Sequence, residues 1–175
     1  MSLRQSLREL LRADRTAFEN RLPTVADEHG FDHRPLDEGS SGPELDAAVG
    51  TGSDHERELA RRAWLLDDAP LGVTVSGPAY QDNPIVYANR RFRDICGYSL
   101  DELRGENPRL LQGPDTESEA VADLREAVTI WEPVTVELWN YRADGSRFRN
   151  RVSLVPTEDE TGTVTNWVGI QQRVD

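Results

Sequence analysis

The chain contains no lysine, one cysteine and no long apolar run. With Cys96 alone, neither an intrachain disulfide nor a thiolate-rich metal site can form. The three histidines, His29, His33 and His55, all precede residue 56, so the rest of the chain has no imidazole for haem or zinc. No stretch approaches the ~20 apolar residues of a membrane helix, and the N-terminus lacks the apolar core of a secretory signal. The sequence therefore reads as a cytoplasmic protein with no membrane partner. All 20 basic residues are Arg, set against 32 acidic ones, for a net charge of −12. That excess argues against direct nucleic-acid binding by this segment, because phosphate contacts need a basic patch. At 175 residues there is room for one ordinary domain with extensions.

What is present falls into two halves. Residues 3–19 predict an amphipathic helix, with Leu3, Leu7, Leu10, Leu11 and Phe18 at helical spacing, so residues 1–20 form one unit. Residues 21–52 are rich in Pro, Gly, Ser and acidic side chains, and predict a flexible acidic linker. A flanking helix follows over 53–67, with Leu59, Ala63, Trp64 and Leu66 toward one side.

From residue 68 to 175 the pattern is one of strands. Gly72–Ser76 and Pro84–Ala88 are short and apolar, and Asn89 can cap a helix running through Cys96. Ser99 with Glu102, and Thr116 with Glu119, have capping-box spacing ahead of two further helices, the second reaching about Ile130. Val134–Tyr141, Phe148–Pro156 and Val164–Arg173 then predict a meander joined by ADGS and DETGT turns. The expectation is an α+β domain: a five-stranded antiparallel sheet with helices on one face, preceded by an N-terminal helical extension.

One segment is specific. GENPRLLQGPDT, residues 105–116, resembles the GxNCRFLQGPxT signature of light-oxygen-voltage (LOV) photosensors such as those of phototropins, a flavin-binding branch of the PAS fold. The resemblance spans about Asp67 to Asp175 and includes DNPIVYAN at 82–89, Asn140–Tyr141, Asn150, and Gly169–Gln171. It implies that Asn107 and Gln112 contact the ribityl chain and ring region of a flavin. By the same likeness Arg109 and Arg125 pair with its phosphate, a task suited to guanidinium forks. Asn140 and Asn150 would meet the pyrimidine edge, where an amide supplies both donor and acceptor. Gln171 would face the ring nitrogen that gains a proton on reduction. FMN is implied over FAD, because the loop after Gln112 lacks an insertion and two arginines suit a terminal phosphate. Taken singly, each of these residues is equally readable as a solvated or turn-capping side chain; the joint pattern carries the reading.

The departure from the family is Pro108, which stands where the adduct-forming cysteine is expected, so no thioether can form there. Leu110 and Val152 also replace aromatic residues common near the flavin. What remains is photoreduction to a neutral semiquinone, with Trp64, Trp131, Trp139, Trp167 or a tyrosine as electron donor and Gln171 rearranging its hydrogen bonds. The expected function is a blue-light signalling sensor without enzymatic activity, acting on a downstream effector domain or partner. A homodimer through the 53–67 helix is the expected assembly. A flavin-based redox or oxygen sensor and a flavin-free PAS dimerisation module are the alternatives. The acidic, lysine-free composition fits a halophilic archaeon, where the family likeness suggests a histidine kinase or transcriptional activator.

Overall fold

The computed structural model describes residues 1–36, 45–46 and 52–175. Helix α1 spans Leu3–Arg12, with the Ser2 hydroxyl accepting from the Gln5 amide, and buries Leu7, Leu10 and Leu11. The chain then breaks at Ala13, and Asp14 caps a second helix, α2, over Arg15–His29. This differs from the expected single helix over 3–19 and flexible linker over 21–52. Pro23 lies inside α2 and cannot donate to the carbonyl one turn back, a defect worth about 3 kcal/mol. Phe18, Leu22, Val25 and Ala26 form a buried stripe at helical spacing, and at about 1.5–3 kcal/mol for each large side chain their burial outweighs the proline. Gly30, in the left-handed region, ends the helix. Residues 37–44 and 47–51 of the expected linker lie outside the described residues.

Helix α3, Asp54–Leu65, starts at a Ser53 cap and buries Leu59, Ala60, Ala63 and Trp64. The Arg62 guanidinium donates to the Leu10, Leu11 and Ala13 carbonyls and stacks 4.9 Å over Phe18. It thereby gives partners to carbonyls where α1 ends, the Leu10 carbonyl accepting from the Ala13 amide as well. The apolar face expected to mediate a homodimer is thus buried inside the chain, against its own helical extension.

The sheet comprises β1 (Gly72–Ser76), β2 (Ile85–Ala88), β3 (Val134–Tyr141), β4 (Arg147–Glu158) and β5 (Val164–Arg173) in the order β2-β1-β5-β4-β3, every pair antiparallel. Between β2 and β3 lie α4 (Arg90–Cys96), α5 (Leu100–Leu103) and α6 (Ser118–Ile130). The Ser99–Glu102 capping box is formed. The Thr116–Glu119 box is not: α6 starts at Ser118, because the Thr116 hydroxyl donates instead to the Trp139 carbonyl at 2.6 Å.

Strand periodicity sorts the sheet into two faces. Val73, Val75, Ser153, Val155, Val168 and Ile170 alternate with the residues that line the cavity described below. On their face, Arg4 of α1 donates to Ser153 Oγ, the Ile170 and Arg151 carbonyls, and Gln172 Oε1. His55 and Glu56 of α3 reach Thr157 and Asn166 there. The helical extension therefore covers the sheet face opposite α4–α6. Asn89, fully buried, ties the two halves: its amide donates to the Leu66 and Leu71 carbonyls and its oxygen accepts from the Val73 and Phe92 amides. Asp67 beside it accepts from Arg34, Tyr87 and the Arg90 amide.

Candidate functional site

A cavity of about 360 Å³, within the range that holds small cofactors, opens between the sheet and α6. Its floor is the polar-studded face of the sheet: Thr74 and Ser76 from β1, Leu138 and Asn140 from β3, Asn150, Val152 and Leu154 from β4, Trp167 and Gln171 from β5. Its roof is the stripe Val121, Leu124, Arg125 and Val128 of α6, and its mouth is formed by the 77–84 loop and the turn at Pro108–Leu111. Every residue singled out from the sequence, Asn107, Arg109, Gln112, Arg125, Asn140, Asn150 and Gln171, lines this one space, as does Pro108.

The deep end is polar and incompletely paired. Asn150 is buried, and its Nδ2 donates to Asn140 Oδ1 at 2.9 Å, while its own Oδ1 has no partner. Gln171, also buried, donates through Nε2 to Thr74 Oγ1 at 3.1 Å, and its Oε1 is likewise unpartnered. A buried acceptor without a donor costs about 1–3 kcal/mol. Both acceptors belong to residues on one cavity wall, where a ligand could supply the donors. Gly169 makes the Gln171 position feasible, since a Cβ there would lie 2.4 Å from Thr74 Oγ1 and 2.6 Å from Gln171 Nε2.

The mouth is ionic. Arg109 is paired with Asp82, Nη1 donating to Oδ1 at 2.9 Å and Nη2 to Oδ2. Each holds the other charged: the Arg109 hydrogen bond keeps the Asp82 carboxyl below its ordinary value, and Asp82 raises that of Arg109. Asn107 braces the same loop, donating to the Asp82 carbonyl at 2.8 Å. Arg125 makes no side-chain hydrogen bond or ion pair among the described residues.

Sequence reasoning assigned no role to Thr74, Ser76 or Asp82. The signal for the first two was available: polar residues at alternate positions of an otherwise apolar strand, GVTVS. Of the four tryptophans only Trp167 lines the cavity. Trp64 lies on α3 beneath Arg34, Trp139 beneath Arg147 and Arg149, and Trp131 is 65% exposed. Val152 lines the cavity, whereas Leu110 packs on the main core and its neighbour Leu111 faces the site. Cys96 is buried on α4 outside the cavity, and burial pushes its thiol up, away from reactivity.

Comparison with known proteins covers the same region. The PAS domain family matches residues 70–172. The bacterioopsin transcriptional activator of Halobacterium salinarum is 47% identical over 119 residues, covering 68% of this chain and 17% of that protein. Blue-light-activated histidine kinase 1 of Erythrobacter litoralis is 42% identical over 101 residues, covering 58% and 28%. This chain thus spans less than a third of the length of either relative. Among solved structures, one from a flavin-analogue study of light-oxygen-voltage domain mechanism shares 42% identity with a TM-score of 0.59, covering 61% of this chain and 79% of the other. The LOV domain of a blue-light-activated histidine kinase from Erythrobacter litoralis shares 37% identity with a TM-score of 0.57, covering 60% and 96%.

Proposed function

This chain belongs to the PAS domain family, in its LOV group, and from that premise we propose that it is a flavin-binding, blue-light-sensing module of a signalling protein. The observation that carries the reading is the pair of unpartnered buried acceptors, Asn150 Oδ1 and Gln171 Oε1, on the wall of a cavity roofed by apolar side chains. A flat heterocycle with amide-like edges fits that combination: Asn140 and Asn150 present donor and acceptor side by side, and the α6 stripe covers an aromatic face. Gln112 and Asn107 would hold the polyhydroxyl chain, and Arg125 and Arg109, which line the same cavity, would meet a terminal phosphate, in keeping with FMN rather than FAD.

Bound flavin would supply a blue-absorbing one-electron acceptor that takes up a proton on reduction. Pro108 supplies no nucleophile, and Cys96 lies outside the cavity, so this chain would signal without a cysteinyl adduct. Trp167 is the indole placed to donate an electron. Gln171 would hold the switch position: with Nε2 on Thr74 its Oε1 can accept from a protonated ring nitrogen, whereas an unprotonated one would call for the flipped amide, with Oε1 accepting from the Thr74 hydroxyl.

One exchanged hydrogen bond is worth about 0.5–1.5 kcal/mol, enough to shift a two-state equilibrium roughly tenfold. The shift would be carried by β5, whose reverse face is gripped by Arg4 of α1. The output partner is an effector domain or protein of the signalling class, reached in the cytoplasm of a halophilic archaeon.

The test is the absorption spectrum of the purified protein before and after blue light without oxygen, in the presence of a thiol reductant. The expected result is a structured blue flavin band that converts to broad red absorption. A protein that neither carries nor takes up flavin would overturn the reading.

A further inference from the structure

We propose that Asp82 is a specificity-determining residue, a built-in competitor for Arg109 that limits how much a ligand's terminal phosphate adds to binding. This rests on the flavin reading above. Two guanidinium groups reach the cavity: Arg125 has no side-chain partner among the described residues, whereas the bidentate edge of Arg109 is taken by the Asp82 carboxylate. The three groups together carry a formal charge of +1, the two arginines less one carboxylate, where two open forks would offer +2.

Asp82 is held in place rather than merely nearby. Its backbone lies in the left-handed region with φ 66°, and that of Asn83 follows with φ 47°. Consecutive residues other than glycine in that region are costly and persist only where their surroundings enforce them. Here the enforcing bonds are visible. The Asp82 amide donates to the Ala79 carbonyl at 2.9 Å and the Asn83 amide to the Pro78 carbonyl at 3.1 Å. The Asn83 side chain donates to the Gly77 carbonyl at 3.1 Å, and Asn107 donates to the Asp82 carbonyl. These bonds fix the Asp82 backbone, and the carboxylate itself is held by Arg109 and by Asn107 Nδ2, which donates to Oδ1 at 3.3 Å.

A phosphate arriving at the mouth therefore meets one of two arrangements. It takes Arg109 and leaves Asp82 as an unpaired anion beside a dianion, or it settles for Arg125 alone. Both forfeit most of the advantage of a second charge-assisted fork. A ligand lacking the phosphate leaves the Asp82–Arg109 pair intact and loses nothing. The wild-type site should then favour FMN over riboflavin by only a few fold, and removing the carboxylate charge should widen that preference.

The experiment is equilibrium titration of the full chain, freed of any copurified flavin, with FMN and with riboflavin, following flavin fluorescence, for the wild type, Asp82→Asn and Arg109→Gln. Asp82→Asn should raise the FMN-to-riboflavin affinity ratio by about tenfold, chiefly through FMN, while Arg109→Gln leaves it at or below the wild-type value. Asp82→Ser, which removes the charge with a smaller side chain, gives the same comparison if the Asn variant folds poorly. Binding of both flavins with a ratio unchanged in the Asp82 variants overturns the role of Asp82 and leaves the flavin reading standing. Failure of the wild type to bind either flavin overturns both.

Discussion

Gln171 on β5 donates to Thr74 on β1 through Nε2 at 3.1 Å, and the Oε1 of the same side chain is buried without a partner among the described residues. One amide of a cavity-lining residue is therefore pinned to the sheet at one end and unpaired at the other. Gly169, two residues earlier on the same face, leaves the space this bond occupies. Gly169→Ala should displace Gln171 and destabilise the fold by about 1–3 kcal/mol, because the added methyl meets Thr74 Oγ1 at 2.4 Å. Thermal melting would register the loss, and a variant as stable as the wild type would contradict the packing described.

Thr74→Val tests the pin itself. It removes the acceptor of Gln171 Nε2 while conserving shape, so stability should fall by about 1–3 kcal/mol for the stranded buried donor. Flavin absorption should shift in position, since the amide is then free to reorient. An unchanged spectrum in a flavin-loaded variant would detach Gln171 from the chromophore.

Pro108 opens the turn Pro108–Leu111 behind an Asn107 cap and lines the cavity. Pro108→Cys places a thiol at that position. In the flavin-loaded variant, blue light should bleach the blue band with recovery in the dark, in place of red absorption. Persistence of the wild-type photochemistry would show that the side chain at 108 does not face the ring.

Asn89→Ala removes four hydrogen bonds from a residue with no exposure and strands the Leu71 carbonyl and the Val73 and Phe92 amides at the junction of α3, β1 and α4, while the Leu66 carbonyl keeps the Ala69 amide. A loss of about 3–5 kcal/mol is expected, at the upper end for single substitutions. Urea unfolding would measure it, and a loss below about 1 kcal/mol would mean the neighbours repack without Asn89.

His55 makes folding pH-dependent on the face away from the cavity. Burial first, and then Arg62, push its imidazole below the ordinary 6.5, against opposing pulls from Asp159, Glu160 and Glu56. A depressed imidazole means the folded chain binds fewer protons than the unfolded chain between the two values. Stability is therefore intact above about pH 6.5, declines as pH falls through that value, and levels off below the folded one. Between about pH 7 and 5 the wild type should lose more stability than His55→Gln, whose amide can keep a bond to Thr157. Equal slopes for the two proteins would exclude His55 as the source.

Much of this molecule was legible before any coordinates. The short apolar runs and the turns between them located each strand to within a few residues, because strand and turn signals are local. Asn89 and Ser99 marked helix starts for the same reason, each acting on its own backbone neighbourhood. The motif at 105–116 and its satellites pointed to residues that line one cavity. The extension was misjudged where a local rule lost to tertiary burial. Pro23 reads as a breaker, yet the stripe Phe18, Leu22, Val25 and Ala26 has a core to enter only once α1 and α3 are in place.

The sequence by itself determined the strands and helices from residue 53 onward and the α+β class, since these follow from spacing along one chain, and its resemblance to LOV domains pointed to polar side chains that line the cavity. The tertiary structure alone decided which of them are free to act. Arg109 and Arg125 look alike in the sequence, but Asp82 pairs with the first and no described side chain pairs with the second. Four tryptophans were equivalent candidates until the sheet turned Trp167 toward the cavity and the others away from it. Pairing and orientation depend on residues far apart in the chain, so no local pattern could carry them.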